Sequence, residues 1–264
     1  MKLSDAERRQ YEVEGYLIAR GLLAEAEIER YKTRARQFAL GEIPPGAEKM
    51  VVRDVRVARG EFTPEDPEKG LWKYLHPDRH DPLFRGFAET PAILDVVESL
   101  LGPDVLAFLT MFIYKPPGVD AVHHYHQDAF YFPFGPHDQV LGSWVTLDPA
   151  EAANGGLWVI PGSHRWGLKP HVVPKAERVN AGIFGVEGAD EDPNQVALRL
   201  SPGDGVFFHS RLLHKTGANV TDRHRRVLTV HYASARCAPE APPDKLKPYE
   251  FRRVRGRTYP GCLG

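Results

Sequence analysis

Cysteine is nearly absent from this chain. Its 264 residues contain only Cys237 and Cys262, and two thiols do not make the disulfide framework on which small secreted domains depend. Both are expected to be reduced, in a cytoplasmic protein. Long apolar runs are lacking too. No segment approaches the ~20 residues of a membrane span, and the start, Met1-Lys2-Leu3-Ser4-Asp5-Ala6-Glu7, has no apolar signal core, so neither a membrane anchor nor a secretory leader is expected. Nor is charge of one sign in excess. With 34 Lys+Arg against 35 Asp+Glu, no net field draws the chain to nucleic acid or to a lipid surface. Repeats and low-complexity linkers are missing as well, and no feature specifies an oligomeric state.

Turn-forming residues, by contrast, are plentiful. The 24 Gly and 23 Pro exceed an average usage of roughly 12% of residues, which suits many short strands better than a helical bundle. Residues 1–264 read as a single domain: a helical leader with loops to about 104, a β core over about 105–236, and a tail over about 237–264. Ser4 followed by Glu7 is a capping-box pattern that predicts a helix from Asp5 toward Gly15. A short buried strand at 16–19 follows, then a helix over 24–38 with Ile28, Tyr31, Ala35 and Phe38 on one stripe, ending near Gly41. Residues 42–82 are proline-rich and poorly periodic, hence loop with one strand at 50–52. Thr90 as N-cap, Pro91 at the first helical position, an apolar stripe to Leu101 and then Gly102 mark another helix.

Beyond Gly102 the apolar period becomes two. Strands are expected at 105–114, within 125–134, and at 140–147, 156–160, 195–200, 205–209, 212–216 and 226–232. About eight strands after a helical leader predict a mainly β, α+β chain. The architecture expected is a jelly roll (double-stranded β-helix, cupin-like), with two sheets wrapped into a barrel, a pocket at one mouth and the N-terminal helices packed on the major sheet. The stretch 174–194 is long enough for a lid.

The stretch Tyr125-His126-Gln127-Asp128 carries the chemistry. In a strand, residues two apart share a face, so His126 and Asp128 aim at one point while Gln127 turns away. That is half of a metal site. Two imidazoles and one carboxylate on one side of an octahedral ion, with open positions opposite, is the ligand set of non-haem Fe(II) oxygenases. The second imidazole must come from elsewhere, and His137, His164, His171, His209, His214, His224 and His231 are candidates. His214 stands out, because Leu212, His214 and Thr216 share a face. After a turn at Gly217-Ala218-Asn219, a hairpin partner returns with Arg225, Val227, Thr229 and His231 alternating. An oxygenase that uses 2-oxoglutarate needs a cation deep in the barrel for the far carboxylate, and Arg offers a rigid two-pronged fork. Arg226 has the opposite parity and is expected to face outward. Two further patterns carry less. His76-Pro77-Asp78 repeats the His-x-Asp spacing, but its proline cannot donate to a central ladder, and it reads as a solvated turn. His123-His124 reads as a polar approach loop off the strand.

Four segments together resemble a known family: Tyr125-His126-Gln127-Asp128 with Tyr131-Phe132-Pro133-Phe134; Asn154-Gly155-Gly156-Leu157-Trp158-Val159-Ile160-Pro161-Gly162-Ser163-His164; Gly203-Asp204-Gly205-Val206-Phe207-Phe208-His209; and His214-Lys215-Thr216-Gly217-Ala218-Asn219. Their order and content are similar to the phytanoyl-CoA dioxygenase family of Fe(II)/2-oxoglutarate oxygenases, over about residues 8–240. The resemblance implies His126, Asp128 and His214 as iron ligands and Arg225 as the partner of the 2-oxoglutarate C5 carboxylate. It also implies Lys73, Met111, Trp144 and Thr216 in the cosubstrate pocket, although Met111 and Trp144 serve equally well as core fillers. The implied chemistry is hydroxylation of a small molecule or acyl-CoA, with 2-oxoglutarate and O2 consumed and succinate and CO2 released. Asp128 stands where related iron halogenases carry a small residue, which argues for oxygen transfer. Leu168-Lys169-Pro170-His171 and residues 180–186 resemble the hydroxylase of branched acyl-CoA. Desaturation, cyclisation or epimerisation by the same oxidant, a Zn-binding cupin hydrolase or isomerase, and a non-catalytic binding barrel are the alternatives. Tyr131, Phe132 and Phe134 read as packing more than as pocket mouth, and the basic run 251–257 as a solvated tail more than as a phosphate contact.

Overall fold

Ser4 caps the first helix as its spacing predicts. Its backbone N–H donates to Glu7 Oε2 at 2.7 Å, and Glu7 N–H donates back to Ser4 Oγ at 3.3 Å. The helix α1 (Asp5–Glu14) stops at Gly15, whose φ of 81° is the left-handed conformation that glycine adopts freely. In the computed structural model, which describes residues 2–118, 122–173 and 184–264, the chain continues through β1 (Tyr16–Ala19), α2 (Glu25–Ala39), β2 (Val51–Arg53), α3 (Val55–Ala58), β3 (Leu71–Leu75), α4 (Pro82–Phe87) and α5 (Pro91–Leu101). Then come β4 (Val105–Lys115), β5 (His123–His126), β6 (Phe134–Gly135), β7 (Val140–Thr146), β8 (Leu157–Val159), β9 (Val196–Ala197), β10 (Gly205–His209), β11 (His214–Thr216), β12 (Arg225–Ser234), β13 (Ala238–Pro239), α6 (Pro243–Leu246) and β14 (Arg252–Arg255). The expected lid at 174–194 falls partly on residues 174–183, outside the described residues.

The strands build a jelly roll from two facing antiparallel sheets. The larger runs β1-β10-β7-β12-β4-β3-β2, with β14 also on β4, and the smaller runs β5-β11-β8-β9. Among the described residues no ladder joins the two sheets into a closed barrel. This corrects the expected closure: the sheets stack on side chains. Strand parity decides what faces what. On β12, Leu228, Val230 and Tyr232 enter the core shared with the helices, where Ile28, Tyr31, Ala35 and Phe38 of α2 also lie. Val227 faces the other sheet, in a cluster with Trp144, Leu157, Val159 and Phe208. Edge-on aromatic pairs such as Phe38–Tyr74, 5.4 Å between centroids, contribute about 0.5–1.5 kcal/mol each beyond their burial.

Several sequence readings are adjusted. The helix α2 ends at Ala39, close to Gly41 as expected, with Leu40 capping it in right-handed geometry. The 42–82 stretch holds α3 and β3 besides its one expected strand, and α4 begins at its end. Its elements are too short for a period to be seen. Residues Arg252–Arg255 are not a solvated tail but strand β14 on β4, with Arg255 paired to Asp95 at 2.9 Å and Arg252 to Glu89.

Candidate metal centre

His126 ends β5, and Asp128 opens a 3-10 turn, Asp128–Tyr131, instead of continuing the strand. The i/i+2 convergence survives because Gln127 between them stays extended (φ −119°, ψ 126°). His214 begins β11 and lies directly across the ladder from His126. As a result Asp128 Oδ1 sits 3.4 Å from His126 Nε2 and 3.6 Å from His214 Nε2, and three donor atoms lie within 4.8 Å of one another, all on buried residues. Each ring is fixed from behind. His126 Nδ1 is 2.8 Å from His124 O and His214 Nδ1 is 2.9 Å from Leu212 O, so each Nδ1 donates and each Nε2 lone pair is left facing the cluster. Asp128 Oδ2 accepts from His231 Nε2 at 2.8 Å.

The electrostatics suit a cation. Burial opposes ionisation of Asp128, but the neighbouring His214 and His231 imidazoles, with the hydrogen bond from His231, outweigh it and hold the carboxyl well below its usual range. Burial, with the neighbouring His126 imidazole, pushes His214 down to about 4. It is therefore neutral at pH 7, as a metal-ligating imidazole must be.

Gln127, fully buried, is spent on scaffolding. Its amide donates to Gly167 O at 2.9 Å and Arg211 O at 2.6 Å and accepts from Lys169 N–H at 2.7 Å, while its own N–H donates to His171 Nε2 at 2.9 Å. One side chain thus ties the loops at 167–171 and 211 to the ends of the donor strand.

The triad faces a cavity of about 320 Å³ between the sheets. Met111, Trp144, Thr216, Lys73 and Arg225, named from the sequence, all line it. Arg225 is 1% exposed, and its Nε and Nη1 have no hydrogen-bond partner among the described residues. Burial lowers it to about 9, with Asp148 pulling the other way. Lys73 lies 4.1 Å from the Trp72 ring, and burial lowers its ammonium to about 8. Lys115, which the sequence reading passed over, also lines the cavity and donates to Thr216 Oγ1 at 3.1 Å and to Gly217 O.

The expected hairpin is corrected. β11 pairs with β5 and β8, whereas β12 pairs with β4 and β7, so the segment between them crosses from one sheet to the other. Arg225 still reaches the triad's cavity, because the two sheets face each other across it. Arg226 points away as its parity requires, but into an ion pair with Asp148 at 2.8 Å rather than into open solvent. His123 is not on a loop: it belongs to β5, stacks on His126 at 4.0 Å and lines the cavity. His76 does sit in a turn, with left-handed φ of 53°, yet it too lines the cavity. Tyr131 and Phe132 line it as well, whereas Phe134 packs in the core.

The sequence profile of the phytanoyl-CoA dioxygenase family matches residues 11–227. The human peroxisomal phytanoyl-CoA dioxygenase is 36% identical over 235 residues, 88% of this chain and 68% of that one. A probable phytanoyl-CoA dioxygenase of Caenorhabditis elegans is 35% identical over 239 residues, 88% of this chain and 76% of that one. Among solved structures, EvdO2 from Micromonospora carbonacea var. aurantiaca, complexed with 2-oxoglutarate, superposes with a TM-score of 0.65 at 25% identity, covering 92% of this chain and 95% of its own. The nogalamycin epimerase SnoN, crystallised with Fe3+, alpha ketoglutarate and nogalamycin RO, shares the fold with a TM-score of 0.67 at 24% identity, covering 90% and 86%. No helix among the described residues is long and apolar enough to cross a membrane. The chain belongs to the phytanoyl-CoA dioxygenase family and is an Fe(II)- and 2-oxoglutarate-dependent oxygenase acting on a small-molecule or acyl-CoA substrate.

Proposed function

We propose that His126, Asp128 and His214 hold the iron, that Arg225 receives the C5 carboxylate of 2-oxoglutarate, and that the substrate is an acyl-CoA hydroxylated on its acyl chain. The observation that carries the reading is the unpaired guanidinium. A buried charge without a partner costs several kcal/mol, so Arg225 Nε and Nη1, orphaned among the described residues, fit a dicarboxylate that arrives with the cosubstrate. A Zn hydrolase or a non-catalytic barrel would leave that cation without a role. The donor set, two neutral imidazoles and one carboxylate on buried residues, fits Fe(II) with positions left open. When bound, iron and 2-oxoglutarate would supply the oxidising power for O2 to convert C–H to C–OH, one oxygen atom of O2 entering the product and the other the succinate formed, with CO2, from 2-oxoglutarate.

The protein's own contribution is positional. Trp144 lies against the guanidinium, 5.4 Å from ring centre to its central carbon, and keeps water from the carboxylate site. Thr216 presents its hydroxyl to the cavity from the same strand as His214 and is held by Lys115. Met111 also lines the cavity, and Lys73 brings a second cation to its wall.

The acyl part of the substrate is favoured by the lining. Leu71, Trp72, Leu75, Leu109, Tyr131 and Phe132 surround the space beside the triad. A cavity of about 320 Å³ admits the cosubstrate and the reacting end of a chain, so a nucleotide head would stay outside. Residues 1–264 would act as one catalytic domain, in the reducing cytoplasm that two free thiols suit.

The test is succinate release with Fe(II) and 2-oxoglutarate across acyl-CoAs, the corresponding free acids and unrelated small molecules. Stimulation by branched or straight acyl-CoA with a hydroxylated product supports the reading. Stimulation by a small molecule alone would replace the acyl-CoA assignment and leave the iron site standing.

A further inference from the structure

We infer that His231 is a positioning residue that holds the Asp128 carboxylate to a single donor oxygen. This rests on the proposal that Asp128 is an iron ligand. His231 lies on β12 in the larger sheet, Asp128 just after β5 of the smaller one, and their contact spans the gap between the sheets with Nε2 and Oδ2 at 2.8 Å. The two residues are 4% and 7% exposed, so water does not compete for the bond. An ionised carboxylate only accepts, so Nε2 carries the proton.

No second hydrogen bond holds the imidazole among the described residues. Its Nδ1 is buried without a partner among the described residues, and its ring lies between Phe132, at 5.2 Å, and Phe108, at 6.0 Å. An aromatic slot with one polar exit leaves the ring a single orientation, the one that addresses Oδ2. On the other side, the same carboxylate presents Oδ1 to both His126 Nε2 and His214 Nε2. The two oxygens are thereby given different tasks: Oδ2 is occupied by a hydrogen bond, and Oδ1 alone belongs to the donor cluster. Carboxylates left free can turn and offer both oxygens to a cation, which would consume a position that the reaction needs open.

The geometry calls for a donor at the Nε2 point and nothing else. Glutamine places a side-chain N–H near there; leucine supplies bulk without a donor; asparagine is too short to reach.

The experiment titrates Co(II), with its visible d–d band, into the purified full chain and its variants, with thermal melting of the metal-free proteins alongside. Wild type should bind one Co(II), and His214→Ala should not; if His214→Ala binds as wild type does, the triad itself is wrong. Given an intact triad, His231→Leu should weaken Co(II) by roughly 10–100-fold and change the band shape, while His231→Gln restores most of the affinity and the wild-type band. Should the leucine variant fail to fold, His231→Asn takes its place and should behave as the donor-less form, again with Gln as the rescue. Equal affinity and the same band in Gln and the donor-less variant, whether both match wild type or both are weakened, would overturn the assignment while leaving the iron site intact.

Discussion

Arg225 carries the largest fully buried side chain among the described residues, and that makes it the residue whose replacement separates function from stability. Truncating one partner of a buried, hydrogen-bonded charge pair costs about 2–5 kcal/mol of affinity. Arg225→Met should therefore weaken 2-oxoglutarate binding by at least about thirtyfold while leaving Co(II) affinity near wild type, both read by anaerobic calorimetry. Replacing an unpartnered buried charge by an apolar side chain of similar length is neutral or stabilising, so the same variant should melt no lower than wild type without cosubstrate. A melting point that drops sharply while 2-oxoglutarate still binds would remove Arg225 from the cosubstrate site. At this scale much was legible. A two-residue period places His126 with Asp128 and His214 with Thr216 by arithmetic, and one motif order links them. The partnership of His231 with Asp128 was not, because it depends on how two sheets stack, and no local period encodes stacking. His123 was misjudged for a related reason: a strand of four residues, His123–His126, is too short to declare its own start.

Among the elements, the crossover from β11 to β12 matters most, since it carries the chain from the third proposed ligand to the proposed cosubstrate arginine. Asn219 organises it. Its amide donates to Lys115 O at 2.8 Å, Pro116 O at 3.1 Å and Arg223 O at 2.7 Å, and its Oδ1 accepts from Thr221 N–H at 3.0 Å. Asn219→Ala would strand these buried groups, each worth about 1–3 kcal/mol when left unmade. A lower melting point by chemical or thermal unfolding, together with weaker 2-oxoglutarate binding through displaced Arg225, is the expected result. A hairpin would have been the natural sequence reading of two strands nine residues apart, and it was wrong because each of these strands finds other partners in a separate sheet. The junction of α1 and β1 is equally constrained. Gly15 has φ of 81°, and a Cβ there would lie 2.4 Å from His164 Nδ1. Gly15→Ala should therefore destabilise by about 1–3 kcal/mol, visible as a shifted denaturation midpoint. Here the sequence was sufficient, since a capping box, a glycine and a short apolar run mark the helix, the turn and the strand between Ser4 and Ala19. The elements between 42 and 82 were not readable, as each is shorter than the window in which a period shows.

The molecule as a whole ties its stability to pH through buried imidazoles. Burial, with His164 and Arg211 nearby and Asp138 opposing, pushes His209 down to about 4; burial, with Arg79 and His80 nearby, does the same for His76. His214 is held at about 4 as well. In the unfolded chain these rings take up protons near 6.5, so between about 6.5 and 4 the unfolded state binds more protons than the folded one, and stability falls as pH falls. Melting of the metal-free protein should accordingly decline from pH 7 toward pH 5, and His209→Gln should flatten part of that slope. A melting point that rises on acidification would contradict the burial of these rings. At this largest scale the fold was legible as a class, a helical leader followed by two β layers, because composition and the change of period both report it. Closure into a barrel was not, since whether the sheet edges meet depends on ladder bonds rather than on which residues are apolar.

The central claim is that one triad and one arginine together seat iron and 2-oxoglutarate. Anaerobic titration of Fe(II) into the protein with 2-oxoglutarate, followed by the visible metal-to-ligand charge-transfer band, tests it most directly. The band should appear at one equivalent in wild type, vanish in His214→Ala, and require far more 2-oxoglutarate in Arg225→Met. An undiminished band in His214→Ala would show that the chelate forms elsewhere.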